Sequence, residues 1–571
     1  MKKIKTYYFA LILFGMFTGF SCEDYLDPEP DGRKTEKEIF NNYQYALGYF
    51  ADLYNQLPAG FHSIGDETTD YAMEASATDE AKHSDNASIV KKYNDGSWNK
   101  QNFPDQYIYS KYYAALRKLS IFLENVDNAV FVEPNTYNRN PEINQVYQER
   151  MKAESFFLRA FYYFELVKRF GGVPIVPERR LTLDDELDIP RSSFDDCVKY
   201  IVANCDSAAQ RLPNSHSDVT LLGHATKASA LALKSRTLLY AASPLFNESN
   251  EPSKWEAALQ AAKEVLDIPG YGLLTNSEIS ANQMLAIWSN VYNKEILFAM
   301  QYTNNNDLEY LNFPIGFEGG EGLTNPTQDL VNAFEMSNGR PITLDNSGYN
   351  PANPYNRRDS RLAYFIGYNG QAYNARPIET FVGGLDGLNK DQYATKTGYY
   401  LKKFLNLTAD LKENTKAVRR QWIHFRYAEI LLNYAEAMNE LYGPTVLSDG
   451  YPMTAKEAID LVRRRVLMPV LSASITQEEL RERVKNERRV ELCFEGHRFW
   501  DVRRWKDGEV FNQPVHGMRI TRQVNGAQQV TYTYEEFEVE KRVFDVEKMY
   551  LMPIPQSEII KSKILIQNPN W

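Results

Sequence analysis

NERRVELCFEGHRFWDVRRW, residues 486–505, packs five arginines, three glutamates, an aspartate, a histidine and four aromatic residues into one short run. At helical spacing Leu480, Val484, Glu487 and Glu491 share a stripe, and Val490 with Phe494 forms the stripe beside it. An apolar stripe that runs into two carboxylates turns those carboxylates inward. In one reading they are a glycosidase-like acid and nucleophile, which requires surroundings that push the two pKa values apart. In the other they are structural, because a buried carboxylate is costly until an arginine fork neutralises it. Arg488, Arg489, Arg498, Arg503 and Arg504, with the Arg463, Arg464, Arg465 run upstream, supply forks in excess. That excess favours the structural reading.

Helical periodicity extends outward from this stretch, from Gln477 into it and over 455–466 and 422–442. Near the start, the spacing predicts helices over 39–57, stopped by Pro58 and Gly60, and over 112–126. A strong helix covers 146–170, with Phe157, Ala160, Phe161 and Phe164 at core spacing, Gly171 and Gly172 as caps and Pro174 as the stop. Further helices are expected over 194–212, 226–242 and 255–266. Helices with small residues on one face and large ones on the other, joined by short Gly/Pro turns, suggest stacked pairs of tetratricopeptide type. Residues 273–420 are loop-rich, with β-prone runs at 295–302 and 399–404. The last helices are therefore expected to stack on the early ones, with the insertion on one side.

The 571-residue chain carries a formal charge of −11, which argues against a nucleic-acid or anionic-lipid surface. Aromatic residues make up 13% of it, led by 38 tyrosines, an excess that needs an account. Cys197 and Cys205 sit eight apart on one expected helix, about 12 Å at the helical rise and beyond bridging distance. Packing, not a disulfide framework, must hold the fold.

Residues 1–21 read as an export signal, basic and then apolar but too short to span a bilayer. They end at Gly19, Phe20, Ser21, Cys22, similar to a bacterial lipobox, with Cys22 as the lipidated residue and Gly19 departing from the usual leucine-like residue. Residues 22–34, with Glu23, Asp24, Asp27, Pro28 and Pro30, are expected to be a flexible tether. The remaining parts are a helical 35–270 containing a candidate binding loop at 61–104, the variable insertion 271–420 and a C-terminal helical region 421–571.

Six motifs in order carry a family resemblance: FFLRAFYYFELVKRFGGVPIV at 156–176, NPTQDLVNAFEM at 325–336, RDSRL at 358–362, FRYAEILLNYAEAMNE at 425–440, the opening stretch, and YLMPIPQSEI at 550–559 with QNPNW at 567–571. With them the chain resembles the SusD/RagB family of outer-membrane nutrient-binding lipoproteins over nearly its whole length. The resemblance implies a mainly α, right-handed tetratricopeptide-like scaffold bearing a loop-rich, partly β insertion. It implies lipid anchoring at the cell surface, and capture of oligosaccharides for a partner SusC-like TonB-dependent transporter. It also implies a protein that is not an enzyme. A RagB-type oligopeptide or glycopeptide binder is the alternative within the family; a glycoside hydrolase using Glu487 and Glu491, or a scaffold with no small ligand, are the alternatives outside it.

Sugar recognition needs flat aromatic faces against the apolar side of the ring and planar polar groups for the hydroxyls. Two loops have these ingredients. One runs over 66–99 and offers Asp66, Asp70, Tyr71, Asp79, His83, Tyr93, Trp98 and Asn99; the other runs over 302–323 and offers Tyr310, Phe313 and Phe317 amid asparagines and glycines. The candidate ligand residues are Trp98, Asn99, Asp66, His83, Tyr310 and Phe313, with Trp98 foremost because it follows Gly96 and Ser97 in a polar loop. Trp288 reads as core. No HExxH, P-loop, GxSxG or CxxC occurs, and His83 has no second His or Cys at ligand spacing, so neither cofactor nor metal is expected.

Overall fold

The computed structural model describes residues 34–64, 70–133, 141–216, 218–275, 284 and 286–571. The export signal, Cys22 and Asp66 lie outside these residues.

The scaffold is a row of helices, each packed on the next: Tyr107–Asn125, Pro141–Phe170, Phe194–Ala209, Lys227–Ala242 and Pro252–Leu266. The row then continues across the insertion, because Tyr427–Tyr442 packs on Pro252–Leu266 and is followed by Ala455–Arg465 and Gln477–Glu491. Local chemistry sets the ends of these helices. Ser193 and Thr226 accept from backbone N–H groups in their first turns, and Thr454 with Glu457 and Thr476 with Glu479 form reciprocal capping boxes. Phe157, Ala160, Phe161 and Phe164 are buried, as their spacing predicts.

Two segments differ from the sequence reading. Residues 39–57 do not form one helix: Asn42 caps a second helix, Tyr43–Tyr54, and separates it from Glu36–Phe40. Residues 421–426 form a strand, Gln421–Arg426, before the helix Tyr427–Tyr442 begins. All six strand residues are buried, and a segment covered on both faces, with Gln421, His424 and Arg426 buried beside Trp422, Ile423 and Phe425, has no exposed period that separates strand from helix. Its antiparallel partner is Ile296–Gln301, within the β-prone run expected at 295–302. At 399–404 the strand is only Tyr400–Leu401.

A hairpin of Val515–Val524 and Val530–Glu540 was not anticipated from the sequence. Its outer half is exposed, with few apolar positions to mark a buried face. Cys197, Cys205 and Cys493 are buried free thiols.

Two apolar clusters result. The larger fills the helical row, while the second joins the insertion to Phe61, Trp422, Val490, Cys493 and Phe494, and includes Trp288. Gly60 marks how tightly the parts meet: with φ +92°, a Cβ there would lie 2.1 Å from Trp422 Cγ, so only glycine fits.

Candidate functional site

The two inward carboxylates lie in the seam between the two clusters. Glu487 and Glu491 are 2% and 0% exposed, so neither meets solvent or substrate. Glu491 Oε1 accepts from Arg426 Nη1 at 2.7 Å and from Arg465, and its Oε2 accepts from Arg361 Nη1 at 2.9 Å. Glu487 accepts from Arg361 Nη1 at 2.6 Å and Arg463 Nη1 at 3.1 Å. Burial alone would raise the Glu491 pKa, but Arg465, Arg426 and Arg361 outweigh it and hold the carboxyl well below the usual range. A permanently ionised, fully engaged carboxylate cannot serve as a general acid.

Arg463 and Arg465 come from the run named by the sequence, whereas Arg361 of RDSRL and Arg426 ahead of the YAEILL helix were not anticipated as partners. The arginines of the opening stretch pair elsewhere. Arg488 and Arg504 hold Asp501 at 2.9 and 2.8 Å, Arg489 and Arg498 hold Asp79 at 2.7 and 2.8 Å, and the Arg503 guanidinium stacks 3.5 Å from the Phe499 ring centroid. The stretch therefore works as a clamp, tying the last scaffold helices to the insertion.

The expected ligand residues separate. Trp98 is 3% exposed: its ring lies 4.5 Å from that of Trp571 and meets the Tyr93 ring edge-on at 5.2 Å. No face of it is open to a sugar, a correction that follows from the chain's last residue folding back onto this loop. Phe313 is fully buried against Tyr373. His83 is buried too, its Nδ1 accepting from the Asp85 amide at 3.2 Å, and burial lowers its pKa. The Tyr310 hydroxyl donates to the Leu411 carbonyl, which ties the ring down. Asn99 is exposed, but its Oδ1 closes a turn by accepting from the Gln101 amide at 2.9 Å. Asp79 and Tyr93 are buried as well.

The two candidate loops nonetheless meet. Ala81–His83 pairs antiparallel with Thr324–Pro326, placing His83 opposite Thr324, and the Ser84 amide donates to the Leu323 carbonyl at 2.8 Å. A third segment joins them, since the Lys396 amide donates to Asn325 Oδ1 at 2.9 Å. On this composite face Asp70 accepts from Ser88 Oγ and the Ile89 amide at 2.9 and 3.0 Å, fixing the 85–89 turn. Beside it Tyr71 is 37% exposed and holds φ +50°, an uncommon conformation for an aromatic residue and one that clusters at functional sites. The bridge between Ile64 and Ala72 and the edge-on His62 ring at 5.8 Å hold it there. Tyr393, 44% exposed, follows Asp391, whose carboxylate accepts from its amide.

Burial lowers the Lys396 pKa, while the neighbouring Asp391 and Asp85 carboxylates act the other way. Each of the two exposed tyrosines thus stands in a segment that also carries charged and backbone hydrogen-bonding groups, the ingredients for a hydroxylated ligand. Tyr393 and Lys396 escaped the sequence reading; the only local signal was an aromatic residue in the polar run at 390–396. Among the described residues, no cluster of three or more His, Cys, Asp or Glu side chains could hold a metal, and no helix is long and apolar enough to cross a membrane.

Two family models match this chain. The SusD family model covers residues 288–571, and a second, described as starch-binding and associating with the outer membrane, covers residues 24–239. The chain belongs to the SusD/RagB family. The two matches leave 240–287 between them and take in both the early helices and the clamp. This SusD family member is 22% identical to a SusD-like protein of Formosa agariphila over 534 residues, covering 91% of this chain and 95% of the relative. Its fold superposes on a SusD-like protein from Bacteroides fragilis with a TM-score of 0.75 at 27% identity, covering 93% of this chain and 98% of that one. A SusD-like carbohydrate-binding protein from Bacteroides fragilis gives 0.73 at 25% identity, covering 92% of this chain and 100% of that one.

Proposed function

We propose that this protein captures an oligosaccharide on the composite face and delivers it to a SusC-like TonB-dependent transporter, held at the outer membrane by a lipid on Cys22. The observation that carries the reading is the pairing of Ala81–His83 with Thr324–Pro326, which sets two loops far apart in sequence side by side; Tyr71 is exposed in the first loop and Tyr393 in the segment tied to Asn325. Tyrosine rings give an apolar, flat surface, and Asp85, Lys396 and nearby backbone groups supply donors and acceptors at fixed positions. The similarity to a carbohydrate-binding protein of Bacteroides fragilis, and the starch-binding description of the N-terminal family model, support a glycan as the ligand. The function proposed is capture and release, with no bond broken.

Native affinity electrophoresis through gels containing starch or other polysaccharides, beside a panel of oligopeptides in calorimetry, tests this reading. Retardation by at least one polysaccharide, weakened in Tyr71→Ala, is the expected result. Heat from peptides with no retardation by any glycan moves the ligand to the RagB type.

A further inference from the structure

A second cleft, of about 420 Å³, shares no lining residue with the composite face and lies in the seam between the helical row and the insertion. One wall is the turn before the Lys227–Ala242 helix and the other is the strand Ile296–Gln301. Gly223, at φ +91°, lets the walls approach, since a Cβ there would stand 3.2 Å from Gln301 Cγ. The volume lies within the range of small-molecule sites.

The groups lining it are held in place from behind. His224 Nδ1 is 2.7 Å from Oε2 of the wholly buried Glu154, an oxygen that also accepts from the Tyr54 hydroxyl at 2.5 Å, while Arg150 Nε stands 3.1 Å from the other oxygen. A carboxylate only accepts, so Nδ1 is the donor to Glu154, which fixes the ring and leaves Nε2 as the nitrogen available to a ligand hydroxyl. The Tyr271 hydroxyl donates to the Asn214 carbonyl at 3.0 Å, which fixes that ring, and Tyr292 is 63% exposed at the mouth. On the floor, Gln301 Nε2 donates to the buried Gln421 at 3.2 Å, which leaves Gln301 Oε1 buried with no hydrogen-bond partner among the described residues. One carboxylate, Asp218, and one ammonium, Lys294, balance in charge at the lining.

We propose that this cleft is a second carbohydrate subsite, taking one neutral sugar unit between the Tyr271 and Tyr292 rings with its hydroxyls on His224 and Gln301. Two aromatic rings, oriented hydrogen-bonding groups and one carboxylate against one ammonium suit a neutral polyol better than an anion, a cation or an apolar molecule. The choice of a sugar rests on the glycan-capture reading; the cleft itself does not.

The test is side-chain NMR of the full-length protein labelled at histidine, with His224 assigned among the seven histidines by loss of its signal in His224→Gln. The probes are methyl α- and β-glucopyranoside, methyl α-mannopyranoside and N-acetylglucosamine, each titrated to saturation or to its solubility limit. At least one should shift the His224 ring signals, about fivefold more weakly in Tyr292→Ala and unchanged in Tyr71→Ala. No shift from any probe, or a shift indifferent to Tyr292→Ala, overturns the subsite. A His224 shift in a protein that no polysaccharide retards sinks the capture reading instead and leaves the cleft standing.

Discussion

Arg426 Nη1 lies 2.7 Å from Glu491 Oε1, joining the strand that closes the insertion to the last long helix of the scaffold, with both side chains fully buried. Removing one partner of such a pair leaves an uncompensated buried charge, and Glu491 faces three arginines.

Glu491→Ala should therefore cost about 3–5 kcal/mol, a large share of an ordinary folding free energy. Thermal unfolding followed by circular dichroism should show a marked fall in Tm, or the variant should be recovered mostly aggregated. Glu491→Gln, which keeps the shape, should fall less. Ligand affinity of whatever remains folded should be unchanged, because Arg361, Arg426 and Arg465, the partners of Glu491, lie away from the paired strands of the composite face; an unaltered Tm in both variants would contradict the structural role.

Trp98→Ala removes a side chain buried between Trp571, Tyr93 and Phe103. A cavity of that size costs about 3–5 kcal/mol. Deleting Trp571 should give a smaller loss in the same direction. If Trp98→Ala instead melts like the wild type and loses ligand, the ring is at a binding surface after all.

The long helices were legible because their signals are local. The threonine caps at Thr454 and Thr476 have their glutamates three residues on, and the Phe157 to Phe164 stripe needs only its own helix. Trp98 was misplaced for the opposite reason. Its burial depends on the last residue of the chain, which no window around position 98 contains. Glu487 and Glu491 were read correctly as inward and paired, since an apolar stripe settles direction. Two of the arginines that pair with them, Arg361 and Arg426, approach from distant segments, so spacing could not name them. The composite face had the same difficulty: Tyr71 lay in a loop already singled out, but Lys396, and with it the segment holding Tyr393, is tied in through Asn325 of the 324–326 strand, far away in sequence.

Burial raises the pKa of Glu80 to about 8 against an ordinary value of 4.5, although the Phe494 amide at 3.2 Å partly opposes the shift. The folded protein thus holds a proton that the unfolded chain releases above about 4.5, so this contribution is complete below that pH and is lost as pH rises through 8. Unfolding between pH 6 and 9 should show Tm falling with pH, with a shallower fall in Glu80→Gln. A slope identical in the two proteins would contradict the assignment.

Tyr71 carries the strain of a left-handed backbone without any comparable gain in packing. Tyr71→Gly should leave Tm unchanged or raise it by roughly 1 °C, since glycine takes φ +50° freely. Its glycan affinity should drop about tenfold. Lower stability with intact affinity would make the residue a structural anchor.

The most direct measurement of the central claim is titration calorimetry of oligosaccharides, beginning with maltohexaose, into the wild-type protein and into Tyr71→Ala/Tyr393→Ala. Saturable binding by the wild type, weakened at least about tenfold in a double variant whose Tm is unchanged, is the predicted result. Saturable binding of equal affinity in both proteins would contradict capture at this face.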